Sequence, residues 1–194
     1  MIEVYNFAKT TGSRVKKYAP VPEIPLPTGQ TLARYSLADG QGGVYIGLSN
    51  QSVLYFDSTN TVRGQWTFPG GVYGIAEDLQ GNTIVATNAG IFRLMTGGTT
   101  QKISNANHLK NIAYGKDGRL YGASQHIGNL IVVMAPDGSV SDYVRSPLLS
   151  APESIYAESD GSLLVTNYSA KTVVRILPDK TIVPVIGDAN YYPI

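Results

Sequence analysis

The sequence has no cysteine, only two histidines and a single tryptophan among its 194 residues. The missing thiols exclude disulfides and thiolate metal sites and leave the compartment open. The scarcity of histidine leaves little material for imidazole acid–base chemistry. There is no run of like charge, and 15 Lys and Arg against 14 Asp and Glu leave a net charge of +1. That balance gives no argument for nucleic acid or a membrane surface as partner. Nothing approaches the roughly 18 consecutive apolar residues of a membrane span, and MIEVYNFAKTTGSRVKK lacks the apolar core of a secretory signal. The expectation is a chain that starts at Met1 in the cytosol and leaves it, if at all, without such a signal.

What is present suits a turn-rich all-β chain: 21 glycines and 11 prolines among many Val, Ile, Thr and Tyr. Residues 151–188 read as four short strands, IYAE, LLVTN, TVVRIL and TIVPVI, separated by the turn signals SDG, YSAK and PDK. Such a meander is one blade of a β-propeller, and a lone blade cannot bury its two faces. The unit recurs. Anchored on Gly43, Gly81, Gly118 and Gly161, the copies lie 38, 37 and 43 residues apart, close to the ~40 of a propeller blade. Six residues before the anchor stand Leu37, Ile75, Ile112 and Ile155; seven before stand Ser36, Gly74, Asn111 and Ser154; six after stand Ser49, Thr87, Ser124 and Asn167. The pattern predicts an all-β propeller of four recognisable four-stranded blades, about 31–69, 70–107, 108–150 and 151–188, with a fifth, partial blade left open. The linker RSPLLSAPES accounts for the longest interval. Trp66 falls on the outermost strand of the first blade and reads as core or edge packing.

Residues 1–30 fall outside the repeat. Pro20, Pro22, Pro25 and Pro27 favour an extended path and cannot donate to an internal sheet. They follow a polar stretch with Arg14, Lys16 and Lys17. An arm of this kind must offset its ordering entropy with contacts, so it reads as a docked tether. Its candidate partner-binding residues are Tyr5, Phe7 and Tyr18, the cations Arg14, Lys16 and Lys17, and the four prolines. Residues 189–194 form a short tail.

In PESIYAESDGSLLVTNYSAKTVVRILPDKTI, Pro152 opens the inner strand, Asp160 and Gly161 make the first turn, and VVRI leads into PDK. This segment resembles the NHL-type repeat and its relatives, the gluconolactonase-like and streptogramin-lyase-like propellers. Asp117, Gly118 and the APDGS turn carry the likeness more loosely in the third blade. The resemblance covers residues 31–187 and implies the fold. Enzymes of that shape gather metal ligands or histidines at the channel mouth. Here Ser49, Thr87, Ser124 and Asn167 stand where an acidic ligand is expected, and none is a strong ligand for a hard cation.

Asp39, Glu77, Asp78, Asp117, Glu158 and Asp160 lie one or two per blade beside first turns, which suits Asx-type turn formation. His108 and His126 sit in connections and read as exposed loop residues. No G-x-S-x-G, P-loop or H-E-x-x-H pattern occurs. These residues supply no catalytic set, no metal site and no cofactor. The expected function is a non-enzymatic interaction or structural module, contacting protein partners in a larger assembly through its arm, such as a phage tail or capsid accessory protein. Two alternatives stand beside it. One is a metal-dependent lactonase or lyase-like enzyme, with ligands drawn from Glu77, Asp78, Asp117, Glu153 and Asp160. The other is a carbohydrate or receptor binder.

Overall fold

The computed structural model describes residues 33–124 and 128–186. They form four antiparallel four-stranded sheets, each in simple sequential order. The first blade is β1 (Ala33–Ala38), β2 (Val44–Leu48), β3 (Ser52–Phe56) and β4 (Val62–Thr67). The second is β5 (Val72–Glu77), β6 (Thr83–Thr87), β7 (Gly90–Leu94) and β8 (Thr100–Ser104), with a short 3-10 turn at Thr96–Gly98. The third is β9 (Leu109–Tyr114), β10 (Leu120–Ser124), β11 (Leu130–Met134) and β12 (Val140–Arg145). The fourth is β13 (Pro152–Ala157), β14 (Leu163–Asn167), β15 (Thr172–Ile176) and β16 (Ile182–Ile186). The inner strands β1, β5, β9 and β13 follow one another, each against the next, as in a propeller. The arm, the tail, His126 and the room for a fifth blade lie outside the described residues.

Alternation along each strand gives every blade two apolar faces, and neighbouring blades bury them against each other. Val53, Phe68, Val72, Ile75, Val85 and Phe92 fill the space between blades 1 and 2. Ile84, Ile91, Ile112, Leu120 and Leu130 do so between blades 2 and 3. Ile131, Leu149, Ile155, Val165 and Ile176 do so between blades 3 and 4. Leu149 comes from the RSPLLSAPES linker, so that stretch is a plug for the third junction as well as a connection. Trp66 is partly buried at the first junction, and its indole N–H donates to Met95 O at 2.8 Å, tying blade 1 to blade 2.

One register needs correcting. The first hairpins of blades 2, 3 and 4 close through Asp78 N–Asn82 O, Gly115 N–Arg119 O and Glu158 N–Ser162 O, with Gly81, Gly118 and Gly161 at φ +80°, +75° and +94°. In blade 1 the matching bond is Asp39 N–Gly43 O; Gly40 (φ +73°) and Gly42 (φ +95°) are both left-handed, and Gly42 holds the place just before the closing residue, as Gly81, Gly118 and Gly161 do. The true anchor is therefore Gly42, one residue before Gly43. Three glycines crowd that turn, two of them left-handed, and only the closing hydrogen bond shows which one matches the anchors of the other blades.

Candidate functional site

At the start of every inner strand the pairing skips one residue. Ala33 pairs with Leu48 and Tyr35 with Gly47; Val72 pairs with Thr87 and Gly74 with Ala86. Leu109 pairs with Ser124 and Asn111 with Ala123; Pro152 pairs with Asn167 and Ser154 with Thr166. The extra residues are Arg34, Tyr73, Lys110 and Glu153, eight positions before Gly42, Gly81, Gly118 and Gly161. A bulge turns its side chain out of the ladder, and here the same bulge recurs in four blades at one end of the innermost strands. That end is the axial mouth.

Arg34 and Glu153 are exposed, and Tyr73 and Lys110 are half-buried. The Lys110 ammonium lies 5.4 Å from the centre of the Tyr73 ring, a cation–π contact between blades 3 and 2. Tyr35 lies beside this group. Burial is the main cause that pushes its phenol above the ordinary value; Arg34 pulls it down, while Glu153 and Tyr73 push it up. A blade-1 side chain thus senses the charge of a blade-4 carboxylate. At the same end, Lys171 Nζ sits 5.1 Å from the ring centre of exposed Tyr168. Two residues before Lys110 and Glu153, His108 and Ala151 hold φ +58° and +51°, a left-handed conformation costly for a side chain with a Cβ.

The acidic residues singled out in the sequence sit mostly at the opposite end, where they build turns. Asp39 Oδ1 accepts from Gln41 N and Gly43 N, both at 2.8 Å; Asp78 Oδ1 accepts from Gln80 N at 2.9 Å and Asn82 N at 2.8 Å. Asp117 accepts from Arg119 N at 3.1 Å and Asp160 from Ser162 N at 2.8 Å. The same groups reach the third or second strand of their blade. Tyr55 donates to Asp39 at 2.8 Å, Tyr121 to Asp117 at 2.7 Å, and Arg175 grips Glu158 at 2.6 and 2.9 Å. The Asp39 carboxyl is held below its usual range, chiefly by the Gln41 N–H and then by Tyr55. At Asp117 burial works the other way, but the Tyr121 hydroxyl and the Arg119 backbone outweigh it. Glu153 opens β13 while Asp160 lies beyond its far end, so the ligand set imagined for an axial cation is divided between the two ends. Among the described residues no three His, Asp or Glu side chains come together as a metal site. The mouth itself offers one carboxylate beside two cations, a poor welcome for a hard divalent ion.

The second-strand positions are structural. Asn167, nearly fully buried, donates to Leu148 O at 2.8 Å and accepts from Ser150 N at 3.1 Å, clamping the linker that inserts Leu149. Thr87 donates to Gly90 O at 2.9 Å and accepts from Ala89 N at 3.0 Å, closing its own turn. Ser124 is buried, and the blade-1 counterpart by pairing is Leu48 and not Ser49. Of the mouth quartet, sequence reasoning had singled out Glu153 alone. The missing signal was one column of the repeat, spoiled in blade 1 by the Gly43 anchor, which puts Tyr35 where Arg34 belongs. The arm residues Tyr5, Phe7, Arg14, Lys16, Lys17, Tyr18, Pro20, Pro22, Pro25 and Pro27 lie outside the described residues.

No family model matches the chain, and no curated protein matches it in sequence. Solved structures do match in fold. A catalytically inactive virginiamycin B lyase from Staphylococcus aureus, crystallised with quinupristin, superposes with TM-score 0.69 at 17% identity, over 82% of this chain and 57% of its own. A putative gluconolactonase gives 0.64 at 16% identity, over 81% of this chain and 63% of its own. An auxiliary nutrient binding protein from Bacteroides ovatus gives 0.63 at 15%, over 82% of this chain and 43% of its own. At these identities the likeness is one of fold. The chain spans about two fifths to three fifths of the length of these proteins, while the share of it that superposes is about that of its four blades.

Proposed function

We propose that this chain is a non-enzymatic binding module that engages an acidic partner segment at its axial mouth and is held in a larger assembly by residues 1–30. The bulged quartet carries the reading. Arg34 and Lys110 give the mouth two cations against Glu153, and Tyr73 adds an aromatic face, a composition suited to carboxylate-bearing chains. No hydrogen bond joins these four side chains into an acid–base pair, and the carboxylates of Asp39, Asp78, Asp117 and Asp160 are spent on turns. A binding protein among the structural neighbours shows that the fold also serves without an enzyme's name.

Binding of a fluorescent poly-glutamate peptide tests the mouth. Lys110→Met and Arg34→Met should each weaken it by about tenfold, some 1.4 kcal/mol, with Glu153→Gln strengthening it. Affinity indifferent to all three substitutions sinks the reading. The lyase and lactonase among the neighbours favour an enzyme as the second reading. Turnover of a lactone or cyclic depsipeptide panel in the presence of divalent ions, abolished by Glu153→Gln, would establish it. The tether is tested separately: removing residues 1–28 should leave a β-type circular dichroism spectrum and abolish incorporation into the assembly. A phage virion is one setting for such an assembly, though none of the structural neighbours named above points to it.

A further inference from the structure

In each blade the residue that closes the first hairpin and a residue of the third strand hold matching places. They are Asp39 and Tyr55 in blade 1, and Glu158 and Arg175 in blade 4. Both pairs are made. The Tyr55 hydroxyl donates to Asp39 at 2.8 Å, and Arg175 gives Nε and Nη2 to the two oxygens of Glu158 at 2.6 and 2.9 Å. Blade 3 has Gly115 and Val133 in these places, with nothing to pair.

Blade 2 has Asp78 and Arg93, and there the pair is incomplete. Aspartate is one methylene shorter than glutamate, and this carboxylate already accepts from Gln80 N, Asn82 N and the Asn82 side-chain amide. It stays 3.6 Å from Arg93 Nη2, beyond a good hydrogen bond. Arg93 Nε is buried and has no hydrogen-bond partner among the described residues. An orphaned buried donor carries a cost that an incoming acceptor removes.

Arg93 also lines a cavity of about 360 Å³ between blades 2 and 3, within the ~300–1,000 Å³ of small-molecule sites. The cavity lies at the hairpin end of the blades, away from the mouth, beside Gln101, Tyr114 and the 135–138 turn. Burial is the main cause that pushes the Tyr114 phenol up, so it stays protonated and able to donate. Asp137 on the rim is turned to Ser139, accepting from its N–H at 2.9 Å and its hydroxyl at 2.6 Å. The Arg93 side chain is 35% exposed, which leaves its guanidinium room to turn into the cavity while Asp78 keeps its hairpin bonds.

We propose that this cavity binds a small organic carboxylate, whose two oxygens take the Nε–H and Nη–H fork of Arg93 as those of Glu158 take the fork of Arg175. The site is independent of what the mouth binds.

Titration of the full chain with acetate, succinate and benzoate, against sodium chloride at equal ionic strength, tests it through the arginine Nε–H resonances. One resonance should move saturably with a carboxylate and be absent from Arg93→Lys. That variant keeps the charge and loses the fork, so calorimetry should show the carboxylate bound at least about tenfold more weakly. Asp78→Glu supplies the missing methylene. If its circular dichroism is that of the parent, its Arg93 resonance should already lie near the ligand-bound position and carboxylate binding should be lost; if it does not fold, Arg93→Lys decides alone. The absence of any saturable shift overturns the proposal, as does an equal shift with chloride. So does binding undiminished in Arg93→Lys or in a folded Asp78→Glu, or inorganic phosphate bound more tightly than every carboxylate.

Discussion

At the scale of single residues the chain spends its carboxylates on turns, and this has a pH signature. Asp39, Asp57, Asp117, Asp137, Asp160 and Asp179 all have carboxyls held below their usual value. For Asp57 the Thr59 hydroxyl and the Arg63 guanidinium lead. The unfolded chain takes up these protons first, so the stabilisation is complete above a pH of about 4 and is lost as pH falls through the lower folded values. Urea midpoints should be flat from neutral pH down to about 5 and drop below about 4; a flat profile to the acid limit would show that the turns contribute nothing. Tyrosines act in the opposite sense. Burial pushes the Tyr121 phenol up, reinforced by its bond to Asp117, and burial raises Tyr143 beside it. That contribution is present below a pH of about 10 and lost above it, so alkaline unfolding and tyrosinate absorbance should rise together. Asn167→Ala strips partners from Leu148 O and Ser150 N and should cost about 2 kcal/mol in chemical unfolding. Gly81→Ala meets no atom within 4 Å, so its cost is that of φ +80° alone, about 1 kcal/mol.

At the scale of elements, strands alternate hydrophobic and polar faces only at the rim of a blade. β6, β10 and β11 are buried along their whole length because a blade lies on either side of them, whereas β4 and β16 are open. The buried middle strands read in the sequence as apolar runs, TIVAT, LYGAS and LIVVM, and their period of two is hidden by burial on both faces. Leu149 was not legible in the same way. It sits in a proline-flanked linker with no strand pattern, yet it is fully buried in the third core. Leu149→Ala should destabilise by about 3 kcal/mol, as much as Ile131→Ala in the middle of a strand. A cost below about 1 kcal/mol would mean the linker merely connects. The inner-strand bulges were illegible too: a bulge is an extra residue in a pairing, and pairing is not written in one strand.

At the scale of the whole molecule, each blade touches mainly its neighbours in sequence, so stability should be graded along the succession of blades and not uniform. Amide hydrogen exchange should be slowest in β6 and β10, which have blades on both sides, and fastest in β16. Protection of β16 equal to that of β6 would show that stability is uniform across the blades.

By itself, the sequence determined the all-β class, the four blades and most of their cores, because a repeat of turn glycines and β-branched runs at a fixed interval admits one architecture. It also determined that Asp39, Asp78, Asp117 and Asp160 make turns, since an aspartate accepting from the amide two residues on is a local bond. Only the tertiary structure decided that Gly42 and not Gly43 anchors blade 1. It alone brought Arg34, Tyr73, Lys110 and Glu153 to one mouth and left Tyr156 and Val185 of blade 4 exposed. These are relations between strands that lie about 40 residues apart in the chain, and no local preference encodes which of them meet or which face is left without a neighbour.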